Sequence, residues 1–443
     1  MANKNAMRYF EKYRGYMEDR VRDGIEQNRK GYGSITVTDA SGAPIPGARI
    51  KLHQKNHEFS FGANLFMLDE LESGEKNVRY KEYFKDLFNL ATLPFYWNDL
   101  EPEQGKPRFA ADSEKVYRRP APDLCLDYCA RNSITPKAHC LTYVDFSPAW
   151  VPDDVAETKR LLEERYRALS ERYAGRVHGW EVINETLCGN ERNDPKAFFR
   201  MPDLIEWNFA LAEKYFTANE LIINEASPFL WENYKYDRSN YYLQIERALS
   251  KGARIDAVGM QFHMFYPERE AEDKAAFYLN PKRIYDVLDT YARLNRPIQI
   301  TEITIPAYSR EPEDEELQAE ILENLYKIWF SHPAMEAIIY WNLVDGYAAF
   351  APQGDMTMGE NVYHAGLVRY DFTKKPAYHA LHRLLHETWR TETECVTDGD
   401  GTAVFKGFYG DYDAEITVEG KPSSRTVQLR RGGWNESKLT IAD

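Results

Sequence analysis

Cysteine is scarce in this 443-residue chain: five residues, at 125, 129, 140, 188 and 395, with no CxxC pair among them. That odd, sparse set fits reduced buried thiols better than a disulfide framework. Basic charge is also short, with 56 Lys+Arg against 70 Asp+Glu and a formal net charge of −14. Nucleic acid, which needs a basic face, and an anionic membrane surface are therefore disfavoured as partners. No run of ~18 apolar residues, the length that could span a bilayer, occurs in the chain. The opening residues, MANKNAMRYFEKYRGYMEDR, hold no apolar stretch of the kind a secretion signal needs. A cytoplasmic location is expected, although a secreted chain with its signal trimmed would read the same. No GxGxxG turn follows an early strand-like segment, which argues against an open dinucleotide-binding sheet.

Aromatic residues, by contrast, are plentiful: 30 Tyr, 22 Phe and 9 Trp, 14% of the chain. Most serve core packing, and some are expected in a ligand cleft, where flat rings suit the C–H faces of sugars. Residues 5–30 read as one charged amphipathic helix, assigned to an N-terminal segment 1–32. Segments 33–57 and 392–443 share short alternating runs between Gly, Pro and Asp turns. Each is too short to bury a core alone, so the two are expected to form one small split β-sandwich.

The intervening 58–391 has a different rhythm. Eight apolar runs recur: FSFGANL (59–65), LATLPFY (90–96), TPKAHCLTY (135–143), HGWEVINE (178–185), ELIINEA (220–226), DAVGMQFH (256–263), PIQITEIT (297–304) and EAIIYWNL (336–343). Amphipathic stretches such as 153–174 and 314–331 separate them. Eight strand–helix repeats whose strands lack polar alternation predict an α/β fold, a closed (β/α)8 barrel with strands buried on both faces.

In such a barrel the reactive groups stand at the C-terminal ends of the strands. The fourth run ends in Asn184-Glu185, the seventh carries Glu302, and the sixth ends in Gln261-Phe262-His263. The third carries His139, and the eighth Trp341 and Asp345. Two carboxylates, one ionised and one protonated, suit retaining glycoside hydrolysis. On residues alone a rim of solvated acids stays open as a reading, since 70 acids make coincidence easy. A reactive lysine for aldolase-type chemistry is absent from the rim, because Lys137 begins its strand. Two pairs four residues apart, Cys125 with Cys129 and His382 with His386, are weighed as metal ligands. No CxxC accompanies the cysteines, the histidines lie on the last expected helix away from the rim, and no metal or organic cofactor is expected.

The same segments resemble glycoside hydrolase family 10, the retaining β-xylanase family. WEVINE (180–185) is similar to its WDVVNE acid/base motif, ITEIT (300–304) to its nucleophile strand, and GMQFH (259–263) to its GxQxH motif. KAHCLTY with PAW (137–150) resembles the GHTLVWH…PxW segment, and AGLVRYDFTKKPAYHALHRLL (365–385) the family's closing stretch. Residues 37–48 also look like the β-module preceding some barrels of this family.

The resemblance implies that Glu185 is the acid/base and Glu302 the nucleophile. Asn184 would bond the 2-hydroxyl of the sugar at the cleavage point, and His263 would hold Glu302. Gln261 and His139 would touch the same sugar, with Trp341 as its floor. Tyr96, Trp97, Tyr143 and Asp345 complete the expected substrate contacts. Departures are local. The family's ENxMKW reads Thr92-Leu93-Pro94-Phe95-Tyr96-Trp97, its WGVTD reads WNLVD (341–345), and its NDYN reads Asn224-Glu225-Ala226-Ser227. The tryptophan expected four residues after Asp345 falls on Ala349, with Phe350 as a stand-in.

The expected function is therefore retaining β-glycoside hydrolysis, of the endo-β-1,4-xylanase type, on a carbohydrate substrate. The runner-up is a β-glycosidase for short oligosaccharides or for glycosides with an apolar aglycone. Its motive is the apolar Leu93–Tyr96 stretch, together with the missing secretion signal. A non-catalytic sugar-binding barrel is the third reading.

Overall fold

The computed structural model describes residues 4–188 and 196–441. Two strands come first, β1 (Lys30–Thr38) and β2 (Arg49–His57). The barrel staves then follow: β3 (Ser60–Asn64), β4 (Leu90–Pro94), β5 (Thr135–His139) with its short continuation β6 (Thr142–Tyr143), and β7 (Gly179–Asn184). β8 (Glu220–Glu225), β9 (Ala257–His263), β10 (Ile298–Thr304) and β11 (Met335–Tyr340) complete it. All pair in parallel, and β11 pairs with β3, which closes the sheet into an eight-stave barrel. The third stave is in two pieces, and both β5 and β6 lie against β7.

Every residue of β4, β7, β9 and β10 is buried. The barrel lumen takes one face of each strand and the ring of helices takes the other, which explains why these runs lack a polar alternation. The helices start where local chemistry favours them. The side chains of Ser73, Asp154 and Asn280 accept from the backbone N–H three residues on. Prolines 122, 312 and 376 open three other helical first turns, and Pro281 follows the Asn280 cap, positions where their missing N–H costs nothing.

The single helix read over 5–30 is in fact two, Arg8–Lys12 and Arg14–Asn28, parted at Tyr13. Different docking partners explain the break: the first turns lie on helix Ala271–Tyr278, and the longer helix lies along Pro312–Ser331. Gly24 permits that second approach, since a Cβ there would come 2.5 Å from the Ser331 carbonyl. Beyond it the buried Arg29 guanidinium donates to the carbonyls of Phe330, His332 and Met335, capping the end of that helix under the barrel.

The C-terminal strands are β12 (Glu392–Val396), β13 (Thr402–Phe408), β14 (Gly410–Val418), β15 (Lys421–Leu429) and β16 (Glu436–Thr440). They form two sheets, β13-β1-β16 and β12-β2-β14-β15. Each N-terminal strand lies between two C-terminal ones, so neither end of the chain makes either sheet alone. Ile35, Val37, Ile50, Leu52, Phe405 and Ile416 fill the core between the sheets. Among the described residues no helix is long and apolar enough to cross a membrane.

Candidate active site

A cleft of about 770 Å³ opens at the C-terminal ends of the staves, the size of a sugar-binding site. Glu185 follows directly on β7, with φ of +53°. A bulky residue held in the left-handed region stores strain, a feature that clusters at functional sites. Glu302 lies inside β10, where the register against β9 shifts between Ile300 and Glu302. Such a bulge re-aims side chains: both Thr301 and Glu302 bond to Asn224 of β8 instead of facing opposite ways.

Gln261, from β9, ties the two carboxylates together. Its Nε2 donates to Glu185 Oε1 at 3.0 Å and to Glu302 Oε1 at 3.2 Å. Two oxygens flanking one nitrogen at those distances stand closer than the ~6.5 Å at which the inverting arrangement begins. Glu302 is held from three sides. Asn224 Nδ2 donates to its Oε1 at 2.9 Å, and His263 Nε2 lies 3.0 Å from its Oε2. His263 is in turn fixed by Thr304 Oγ1 at 2.8 Å from Nδ1.

Asn224 also donates to Asn184 Oδ1 at 2.8 Å, which turns the NH2 group of Asn184 toward the cleft. Glu185 is half-buried, and desolvation with the nearby charge of Glu302 pushes its carboxyl above the usual range, against the hydrogen bonds of Gln261 and Tyr143. The backbone after Glu185 is braced by Glu225, which accepts from Leu187 N at 2.9 Å and from Thr186 Oγ1 at 3.1 Å. Burial, with Glu185 adding to it, pushes Glu225 up to about 8.

Below the cleft floor, Glu181 accepts from both Lys137 and His139. Burial would raise Glu181, but the two cations outweigh it and hold it at about 2. Burial likewise opposes the charge on His139, yet Glu181 wins and keeps it above its ordinary value. Lys137 is thus spent on an internal ion pair away from the rim.

Trp341, nearly buried, meets the His139 and His263 rings edge-on and donates to Glu360 Oε2 at 3.2 Å. Tyr96 and Tyr143 line the same wall, and Ala349 and Phe350 stand at its rim.

Two expected contacts lie elsewhere. Trp97 turns its indole N–H to Glu101 Oε2 at 3.0 Å and packs on Trp150, because the chain enters a short helix at that residue. Asp345 pairs with the buried Lys375 at 2.7 Å and accepts from Gly366 N, so it anchors the closing segment of the barrel. Neither lines the cleft. Of the stretch Leu93–Tyr96 only Tyr96 reaches it; Leu93 and Phe95 are fully buried, Phe95 against Tyr173 and Trp180. Polar groups come instead from loops: Arg118 and Arg119 from the long β4–β5 connection, and Glu360 from the segment after β11. Sequence reading missed these three and Asn224. The doubled arginine before a Pro-Ala-Pro run was the one visible signal for the first two. His382 and His386 sit outside the barrel beside Asp86, whose carbonyl accepts from His386 Nε2 at 2.6 Å.

The family model for glycosyl hydrolase family 10 matches residues 56–384. The chain belongs to that family. Among curated relatives, the anti-sigma-I factor RsgI6 of Acetivibrio thermocellus is 28% identical over 432 residues, covering 94% of this chain. The chain spans 48% of that relative's length, about half, and the match extends beyond the barrel into both ends of the chain. Endo-1,4-beta-xylanase B of Thermotoga neapolitana is 23% identical over 350 residues, 74% of this chain and 88% of that protein. The crystal structure of xylanase 10B from Thermotoga petrophila in complex with xylobiose shares the fold. Its TM-score is 0.58 at 21% identity, covering 75% of this chain and 95% of that one.

Proposed function

We propose that this family 10 chain is a retaining β-glycoside hydrolase of the endo-β-1,4-xylanase type. The observation that carries the reading is the single Gln261 amide nitrogen bonded to both Glu185 and Glu302. That spacing is shorter than the separation at which an inverting enzyme seats its water, and suits direct attack by one carboxylate. Membership of a family whose relatives include proteins named xylanases supports the substrate class.

Glu302, held by Asn224, Gln261 and His263, attacks the anomeric carbon. Glu185, whose carboxyl is held above its usual range, gives its proton to the leaving oxygen. It then takes a proton from the water that releases the sugar from Glu302, which frees a product with the original β configuration. The NH2 of Asn184 meets the 2-hydroxyl, and His139, Tyr143 and Trp341 enclose the same sugar. The groups at work are side chains of this chain and water.

The runner-up, a β-glycosidase for short oligosaccharides or for glycosides with an apolar aglycone, loses one of its two motives because Leu93 and Phe95 face the core. The test is a panel of polymeric xylan, xylobiose to xylohexaose, and nitrophenyl β-xyloside, β-glucoside and β-galactoside. Rapid loss of xylan viscosity with release of short xylo-oligosaccharides is expected. Activity confined to one aryl glycoside, or none on any substrate, would overturn the proposal.

A further inference from the structure

Among the described residues of the cleft, Arg118 is a nearly buried charged group short of partners. Its side chain is 4% exposed and lines the cleft, with φ of +63° fixing its direction. Nη1 donates to Asn342 Oδ1 at 3.0 Å and to the Tyr347 carbonyl, while the buried Nε has no acceptor. Nη2 makes no hydrogen bond to the described residues and is not sealed off as Nε is, so it is the donor a ligand acceptor in the cleft can meet. Glu360 stands on the same wall. Its Oε2 takes the N–H groups of Trp341, Asn342 and Ala349, which leaves Oε1 for the cleft. Arg119, by contrast, is satisfied by Asp99 at 2.7 Å and lies flat over Tyr96 at 4.0 Å. Phe350, 81% exposed at the rim, offers an apolar face beside Ala349.

We propose that Arg118 and Glu360 are a specificity-determining pair for the sugar unit beyond Trp341, donating to one hydroxyl and accepting from its neighbour, with Phe350 against the sugar face. The ligand is a neutral sugar with adjacent free hydroxyls. Arg119 is paired with Asp99 and Arg118 stands in the field of Glu360, so among the described residues of this wall a uronic acid would meet Glu360 with no spare cation. The inference rests on the reading of Glu185 and Glu302 as the cleavage centre, which places Trp341 at the sugar being cut. It assigns to loop residues the polar recognition that β4, apolar here up to Tyr96, does not supply.

The test compares 4-nitrophenyl β-xyloside with 4-nitrophenyl β-xylobioside, which differ by that one sugar. The wild-type chain is expected to prefer the longer substrate in kcat/KM. Arg118→Met and Glu360→Gln should each cut that preference about 10- to 100-fold, the loss expected for a charge-assisted hydrogen bond. Arg118→Lys should restore part of it, and serves if the Met variant does not fold. Equal losses on both substrates would mark Arg118 as a structural brace and overturn the proposal. Calorimetric binding of xylobiose against xylose to Glu302→Gln protein asks the same question without turnover. If wild type hydrolyses neither glycoside and no xylan or xylo-oligosaccharide, the proposed function fails alone. The pair then stands if Arg118→Met weakens xylobiose binding, and falls if it does not.

Discussion

Replacing Asn224 by Ala removes the hub that joins β7, β8 and β10 beneath the cleft. Its amide donates to Asn184 Oδ1 and Glu302 Oε1 at 2.8 and 2.9 Å, and its Oδ1 accepts from Thr301 Oγ1 at 2.6 Å. In the variant the Thr301 hydroxyl and the Asn184 carbonyl oxygen lose these bonds in a buried setting. Each such orphan costs about 1–3 kcal/mol, so stability should fall by about 2–6 kcal/mol, with a water in the vacated space holding it to the lower end. Glu302 keeps Gln261 and His263. It loses one of three anchors, and kcat/KM should drop about 10- to 100-fold, the worth of one hydrogen bond to a charge. Urea unfolding followed by tryptophan fluorescence reads the first figure, and initial rates on nitrophenyl β-xylobioside read the second. A stability loss under ~1 kcal/mol with unchanged kcat/KM would refute the role given to Asn224.

Glu302→Ala should lower turnover by several orders of magnitude, and added azide should restore part of it by occupying the vacated space as the nucleophile; a variant that azide does not rescue would speak against covalent attack. Because burial and the charge of Glu302 raise Glu185, and Glu185 must be protonated, kcat/KM should fall as pH rises through its elevated pKa. Glu185→Gln assayed on a substrate with an excellent leaving group should lose that alkaline limb; an unchanged limb would assign it to another residue. Glu181 sits at about 2 when folded against an ordinary value of 4.5. Its ion pairs should therefore stabilise the protein fully above pH 4.5 and be lost as pH falls toward 2. Glu181→Gln should flatten the acid limb of a stability profile measured by denaturant unfolding.

The eight staves were legible because burial on both faces writes a continuous apolar run, and because strand ends mark the rim of a barrel. Asn184, Glu185, Gln261, His263 and Glu302 could be placed together from that rule alone. Side-chain direction within a run was less legible. Leu93, Phe95 and Tyr96 read as one apolar patch, yet only Tyr96 faces the cleft. The bulge that aims Glu302 leaves no mark in composition. Trp97 and Asp345 have the residue types of sugar contacts, but local partners, Glu101 and Lys375, claim them. Arg118 and Glu360 stand on long connections with no periodicity, where only the folded chain shows what they face.

The central claim is double displacement by Glu185 and Glu302. Proton NMR of the anomeric signals during the first minutes of xylo-oligosaccharide hydrolysis tests it most directly, before mutarotation mixes the products. The account predicts that the β-anomer appears first and the α-anomer grows in slowly behind it. Initial accumulation of the α-anomer would contradict it.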